Sequence, residues 1–574
     1  MAVTTHQEPR HILPAPGLRA ILDMATASHA RAVALLIVLS LASFLPGFFQ
    51  IPPVDRDEAR FAQATKQMIE TGDYVDIRFQ DESRYKKPVG IYWLQAAVVK
   101  TAEAVGVSEA RTRIWLYRIP SLLGAVGAVL LTYWTALAFV SRRAALLAGM
   151  MLATCVLLGV EARLAKTDAM LLLTSAAAMG ALGRIYLAGL EAKTEKGGGW
   201  TLPAIFWTAI AGGLLLKGPL ILMFVALAAA ALAIADRNAR WLLRLRPLAG
   251  VLWVLLLVLP WFVAILLRSG ESFLTDSVGQ DLFAKVVSGQ ESHGAPPGSY
   301  FVMFWATFWP GSVLAGLAAL PVWNARREPG ARFLLAWLIP SWIVFEIVAT
   351  KLPHYVLPLY PAIAILIGGV VDSQALTRRR WLELGTGFWF AVSAALALAA
   401  IVAHIAIGRQ LGLLAWPFAA GAIIFGLLAS WLYRIDGAEP SLARASIAAI
   451  FVSMTFYGAT FPALPMLFPA VELASEMQGV DCPNPAVATA GYHEPSLVFL
   501  IGTDLRHTDG AGAADFLRQG GCRFAFVERG QERSFAQRAD AIGLRYALAS
   551  RVDGYNISGG RKISVAIFRA ERTP

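Results

Sequence analysis

Apolar runs of roughly twenty residues, the length that crosses a bilayer as a helix, recur along this chain with polar turns between them. They lie near 33–50, 115–140, 144–160, 168–188, 200–216, 219–235, 248–267, 301–322, 332–349, 356–372, 382–404, 412–433 and 444–464. About thirteen membrane-spanning helices are expected from this pattern. After Leu464 the pattern changes to short β-rich runs (VATAGY, FAFVE, ISVAIF) separated by glycine turns, with helical stretches around 511–519 and 533–542. That alternation predicts a small α/β domain. The expected fold is a polytopic α-helical membrane protein with a C-terminal α/β domain. Its parts are a tail at 1–32, a membrane domain at 33–465 and the α/β domain at 470–574.

Two polar stretches interrupt the membrane part, 51–114 and 268–300. In the first, Phe61, Met68 and Ile69 repeat at helical spacing with Lys66, Gln67 and Glu70 between them. This spacing predicts a short amphipathic helix lying on the membrane surface, ended at Gly72. Val89 to Val105 reads as a second amphipathic segment.

Composition supports the membrane reading. The chain is 57% hydrophobic and 16% charged, against about 25% charged in a soluble domain. A net charge of +11 would suggest a nucleic-acid partner, but many of the Lys and Arg residues fall in short loops between apolar runs, where topology explains them. Arg142–Arg143, Arg184, Arg237 to Arg246, Arg326–Arg327, Arg378 to Arg380 and Arg434 all sit in alternate loops. With those loops and the N-terminus cytoplasmic, an odd number of spans places the C-terminal domain and both long polar stretches outside. Cys155 lies in an apolar run. Cys482 and Cys522 fall in the C-terminal region and could pair if that region meets an oxidising compartment.

The candidate chemistry gathers on the outer side. Asp55, Asp57 and Glu58 fall within four positions. Asp55 with Glu58 also fits a helix capping box, so a structural role stands beside the catalytic one. Asp168 sits with Arg163 and Lys166 in a hairpin too short to be a solvated loop, and ionisable groups at a membrane edge are functional candidates. Lys217 lies at a Gly-Pro turn in LLLKGPLI, where a lysine could equally snorkel to the interface. Lys351, His354 and Tyr355 share TKLPHYVLPLYP, and Arg268 opens the second polar stretch. Arg60, Tyr85, Lys86 and Lys87 complete the set. Cations near a membrane surface suit a lipid phosphate, while the acids suit an amine, sugar hydroxyls or a divalent metal. The metal reading would draw on Asp57, Asp168, His293 and His354. No glycine-rich nucleotide loop is visible, which agrees with a lipid-linked donor.

Two motifs, DEARF (Asp57 to Phe61) and RYKKPVGIYW (Arg84 to Trp93), carry a resemblance that Asp168, LLLKGP, PWF (Pro260 to Phe262) and KLPHYVLP support. They resemble the GT-C superfamily of glycosyltransferases, and most closely its bacterial members that move 4-amino-4-deoxy-L-arabinose from undecaprenyl phosphate to lipid A. The resemblance implies an inner-membrane enzyme conferring polymyxin resistance. It implies that Asp57 and Asp168 are the catalytic acids, with Asp55 and Glu58 as neighbouring candidates. Lys87 would bind the donor phosphate, and Arg60, Tyr85, Lys217, Arg268, Lys351 and Tyr355 would serve the donor phosphate or its lipid. The implied partners are the lipid-linked sugar donor, the lipid A acceptor and membrane lipids, with the chain a monomer. A protein or glycan acceptor, and a lipid transporter, are the competing expectations.

Overall fold

Proline and glycine mark where the apolar runs begin and end. Pro247 opens the helix Pro247–Ser269 and Gly270 closes it; Pro329 opens Pro329–Ile347. Proline suits a first helical turn because its missing N–H has no partner there anyway. In the computed structural model, which describes residues 16–190, 199–270, 273, 294–478, 482 and 485–571, each of the thirteen runs is helical. Among the described residues, seven helices are long and apolar enough to cross a membrane, and five more apolar ones run 10–17 residues. Two expected spans are broken. Residues 144–160 divide into Arg142–Ala153 and Val156–Glu161, and 301–322 into Ser299–Thr307 and Ser312–Asn324, the latter around a cis Trp309–Pro310 bond. The outermost helices turn bare leucines outward: Leu252 and Leu256 are exposed on Pro247–Ser269, as is Leu398 on Gly387–Ala406. These faces have no protein partner among the described residues and suit lipid. The chain is a multi-pass membrane protein.

The C-terminal domain is a five-stranded sheet in the order Arg506–Thr508, Ala486–Ala490, Arg523–Glu528, Arg561–Ala570, Tyr546–Asn556. The first three strands are parallel and the last two antiparallel. Alternation along a strand sends successive side chains to opposite faces. Phe524 and Phe526 accordingly pack with Leu473, Leu497 and Val498 on one face. Ala525 and Val527 pack with Ala513, Leu517 and Phe535 on the other. Cys482 and Cys522 form a disulfide with a Cα–Cα distance of 6.1 Å.

One expectation about the first polar stretch needs correction. The helix Asp57–Thr71 forms and ends at Gly72, whose φ of 71° is the left-handed cap, but it does not lie on the membrane surface. Phe61, Ala64 and Met68 pack against Tyr85, Tyr92 and Trp261, and Ala62 and Ile69 against Val99, Tyr117 and Phe499. Its polar side chains meet the C-terminal domain: Gln63 Nε2 donates to Thr503 Oγ1 at 2.8 Å and Lys66 Nζ to the Phe499 carbonyl at 2.9 Å. The helix is sandwiched because its polar face finds protein acceptors rather than head groups. The second amphipathic segment is the helix Gly90–Ala104, packed against Ile114–Ala136.

Candidate active site

Two antiparallel neighbours set the centre of the site. Asp168 opens the helix Asp168–Leu190 and Lys217 closes Thr201–Lys217, the ends where helix dipoles favour an acid and a base respectively. Because the helices run in opposite directions, those ends coincide, and Lys217 Nζ donates to Asp168 Oδ1. Both side chains are buried. Lys166, in the hairpin before Asp168, lies 3.1 Å from Glu161 Oε1 and 3.9 Å from Asp168 Oδ2. The turn Pro353–Leu359 brings in His354, with Nδ1 3.6 Å from Glu161 and Nε2 3.8 Å from Asp168. Tyr355 lies beneath Lys217, whose ammonium is 5.1 Å from the ring centre. Two carboxylates, two ammonium groups, an imidazole and a phenol thus share one buried cluster at the end of the bundle.

The first polar stretch forms one side of this cluster. Asp57 is exposed at the start of its helix and lies within electrostatic reach of Lys166 and of Tyr92. Lys87 reaches His354 in the same way, while its Nζ donates to the Lys86 carbonyl at 2.8 Å. Arg84 is buried over the Phe61 ring, 5.0 Å from its centre. The arrangement sets carboxylates among several cations at one end of the bundle, a preorganised electrostatic environment for an anionic ligand.

The fit to a divalent metal is poor as the side chains stand. Glu161, Asp168 and His354 each offer a ligand atom within 4.8 Å of the others. Asp168 is paired with Lys217 and Glu161 Oε1 with Lys166, so a cation would compete with two ammonium groups for them, although Glu161 Oε2 is buried without a hydrogen-bond partner. Glu161 was not among the residues singled out from sequence. The signal that could have found it is an acid just past the end of the run 144–160, seven positions before Asp168 in the same charged hairpin.

Comparison with known proteins places the architecture. The sequence profile of the family described as dolichyl-phosphate-mannose-protein mannosyltransferase matches residues 86–263. The chain is 29% identical over 352 residues to an undecaprenyl phosphate-alpha-4-amino-4-deoxy-L-arabinose arabinosyl transferase of Erwinia tasmaniensis, covering 60% of this chain and 61% of that protein. It is 27% identical over 431 residues to the protein of the same name in Edwardsiella ictaluri, covering 71% of each. The matched region therefore spans about three fifths of the length of the Erwinia relative. The crystal structure of ArnT from Cupriavidus metallidurans superposes with a TM-score of 0.73 at 19% identity, over 95% of this chain and 98% of that one. Its complex with undecaprenyl phosphate superposes with a TM-score of 0.71. The chain has the same fold as these ArnT structures.

Within this fold the other expected site residues separate by position. Glu58 is fully engaged away from the cluster. Its oxygens accept from Arg118 Nε at 2.7 Å, Val54 N at 2.9 Å and Ala165 N at 2.9 Å. Arg118 also donates to the carbonyls of Phe48, Ile51 and Pro52. The pair locks the first polar stretch to two spans, and Arg118, a lone arginine in an apolar run, escaped sequence reading. Asp55 neither caps its helix nor faces the cluster: its Oδ1 accepts from Ser496 N at 3.0 Å in the C-terminal domain. Burial raises its pKa to about 6, with Glu494 adding to the rise and Arg60 opposing it. Arg60 is thus beside Asp55. Arg268 pairs with Asp73 in an exposed bridge. Lys351 caps a helix end, donating to the carbonyls of Phe345, Glu346 and Val348 at 3.2, 3.0 and 2.6 Å, which consumes its charge. Tyr85 is buried and donates to Asp76 Oδ1 at 2.8 Å. His293 and most of 268–300 lie outside the described residues.

Proposed function

We propose that the chain transfers 4-amino-4-deoxy-L-arabinose from undecaprenyl phosphate to a phosphate of lipid A, at the outer face of the bacterial inner membrane. The observation that carries this reading is the cluster of Asp168, Lys217, Lys166 and His354, faced by Asp57 and Lys87. It fits a displacement in which negative charge moves from one lipid phosphate to another. An oxygen of the acceptor phosphate attacks the anomeric carbon as the bond to the donor phosphate breaks. The acceptor monoester becomes a diester and loses one negative charge, and undecaprenyl phosphate leaves with one more. No proton need be abstracted, so the acids orient the sugar amine and acceptor rather than act as general bases. Lys87, with Tyr355 and Lys217 behind it, supports the departing phosphate. The names of the curated relatives support the donor and sugar.

The periplasmic placement of the C-terminal domain is supported by two independent features. The basic loops of the membrane part alternate to the opposite side, and the domain holds the Cys482–Cys522 disulfide, a bond that persists in oxidising compartments. Adding a cationic sugar to lipid A lowers its negative charge, which would reduce binding of polymyxin and related cationic peptides.

The test is mass spectrometry of lipid A from cells lacking their own transferase, expressing wild type, Asp57→Ala or Lys87→Ala. A pentosamine on lipid A with wild type, lost in both variants at normal membrane levels, is expected. An unmodified lipid A in the presence of a verified donor pool would remove this reading. Sugar on a protein would move it to the mannosyltransferase-like one.

A further inference from the structure

Away from the cluster, a cavity of about 560 Å³ opens between the C-terminal domain and the end of the span Gly387–Ala406. Its floor is apolar: Ala406 and Ile407 end the span, and Met466 lies in the connection to the C-terminal domain. Its opposite wall is the hairpin Tyr546–Asn556 with Arg561–Ala570 and the turn after Glu528. That wall is basic. Arg409, Arg529 and Lys562 line the cavity, are exposed, and form no ion pair with any described residue. Two acids are present: Glu528 is paired with Arg561, whose Nη2 donates to Oε2 at 2.9 Å, and Asp553 lies within electrostatic reach of Arg551, which is itself bound to Glu532. Four cations and two acids line the cavity, a surplus of two positive charges over an apolar floor at the level where a span meets the membrane surface.

We propose that this cavity binds the anionic phosphate head group of a membrane lipid in the leaflet beneath the C-terminal domain. The chemistry is that of a basic pocket at a bilayer surface, where each Lys or Arg contributes about 1 kcal/mol toward an anionic lipid. The apolar floor accommodates the glycerol backbone and the first methylenes, which a free anion lacks. The site is separate from the transfer reaction, since none of its lining residues belongs to the Asp168 cluster. Its occupant ties the C-terminal domain to the bilayer and so holds it over the helix Asp57–Thr71.

The test uses the full-length protein in neutral detergent, titrated with phosphatidylglycerol, phosphatidylcholine or inorganic phosphate while thermal unfolding and bound lipid by native mass spectrometry are read. Phosphatidylglycerol is expected to bind and raise the melting temperature, with phosphatidylcholine and inorganic phosphate ineffective at equal concentration. Each of Arg409→Ala, Arg529→Ala and Lys562→Ala should weaken phosphatidylglycerol binding about fivefold, with lipid-free melting unchanged. The single variants keep the test valid if the triple variant does not fold. Undiminished binding in all three, or equal stabilisation by inorganic phosphate, would overturn the proposal.

Discussion

Lys217 and Asp168 are 49 residues apart in sequence and meet as a buried ion pair, the ammonium donating to Oδ1 where two antiparallel spans end side by side. The pair cannot be replaced one partner at a time without leaving a buried charge, which typically costs about 3–5 kcal/mol. Lys217→Met is expected to lower sugar transfer about 10²–10³-fold. Adding Asp168→Asn to it should cost far less than the sum of the two single effects. A double-mutant cycle on transfer rate, read by mass spectrometry of the lipid product, checks this. Additive losses would mean that the two side chains act independently.

Glu58 and Arg118 make the opposite case. Their side chains are each 1% exposed, and the carboxylate is saturated by a guanidinium and two backbone N–H groups. Arg118→Ala should destabilise the protein by about 3–5 kcal/mol, with loss of folded material in detergent. What remains folded should bind the donor normally. Size-exclusion yield and thermal unfolding measure the first effect, and donor binding the second. A folded, inactive Glu58→Gln protein would instead return Glu58 to the chemistry.

The contrast between these pairs shows what the sequence could reveal. The span pattern was legible because bilayer thickness imposes one length on every apolar run, and even the two broken helices lay where a run was expected. Asp168, Lys217 and His354 were legible as charged residues at span ends. Which of them meet was not, since that depends on helix direction and on which helices are neighbours. Asp55, Glu58 and Lys351 looked equivalent to the site residues in sequence. The structure separates them by what their polar atoms already hold: a backbone N–H, a guanidinium, and a helix C-terminus. Arg118 was hidden in an apolar run that length alone assigned to a span, and Glu161 sits one residue past the end of another.

The disulfide between Cys482 and Cys522 closes a stretch with a sequence separation of 40. Closing a loop of that size restricts the unfolded chain by about 4 kcal/mol at 25 °C in the chain-entropy picture. Reduction is expected to lower the unfolding temperature of the C-terminal domain while leaving the membrane helices folded. Near-ultraviolet circular dichroism with and without a membrane-permeant reductant, alongside Cys482→Ser, checks it. An unchanged transition would show that the sheet core around Phe524, Phe526 and Ile567 is sufficient alone.

The charge balance of the cluster bears on metal dependence. Glu161 and Asp168 each already have a lysine partner, so a divalent cation would compete with two ammonium groups for the cluster's negative charge. Transfer activity is expected to survive exhaustive chelation, and added magnesium or manganese should not raise it. Activity lost on chelation and restored by one metal would show that a cation displaces Lys166 or Lys217 in the working enzyme.

Asp55 makes the seam between the two domains sensitive to pH. Its pKa rises from an ordinary 3.8 to about 6, mainly because docking buries the carboxyl. A raised value means that the docked state holds the proton more tightly than the undocked one. The stabilisation is therefore full below about pH 3.8 and is lost as pH rises through 6. The shift of about two units sets an upper limit of about 3 kcal/mol on the effect. Lowering pH from 7.5 to 5 should slow hydrogen exchange in the backbone around Ser496 relative to the sheet core. Asp55→Asn, neutral at every pH, should remove that dependence while keeping an acceptor for the Ser496 N–H. Comparing wild type with Asp55→Asn at each pH separates this carboxyl from the other titrating groups at the seam. An identical pH response in both proteins would mean that Asp55 does not control docking, and that the seam's other contacts, among them those of Gln63, Lys66 and Gln80, hold it.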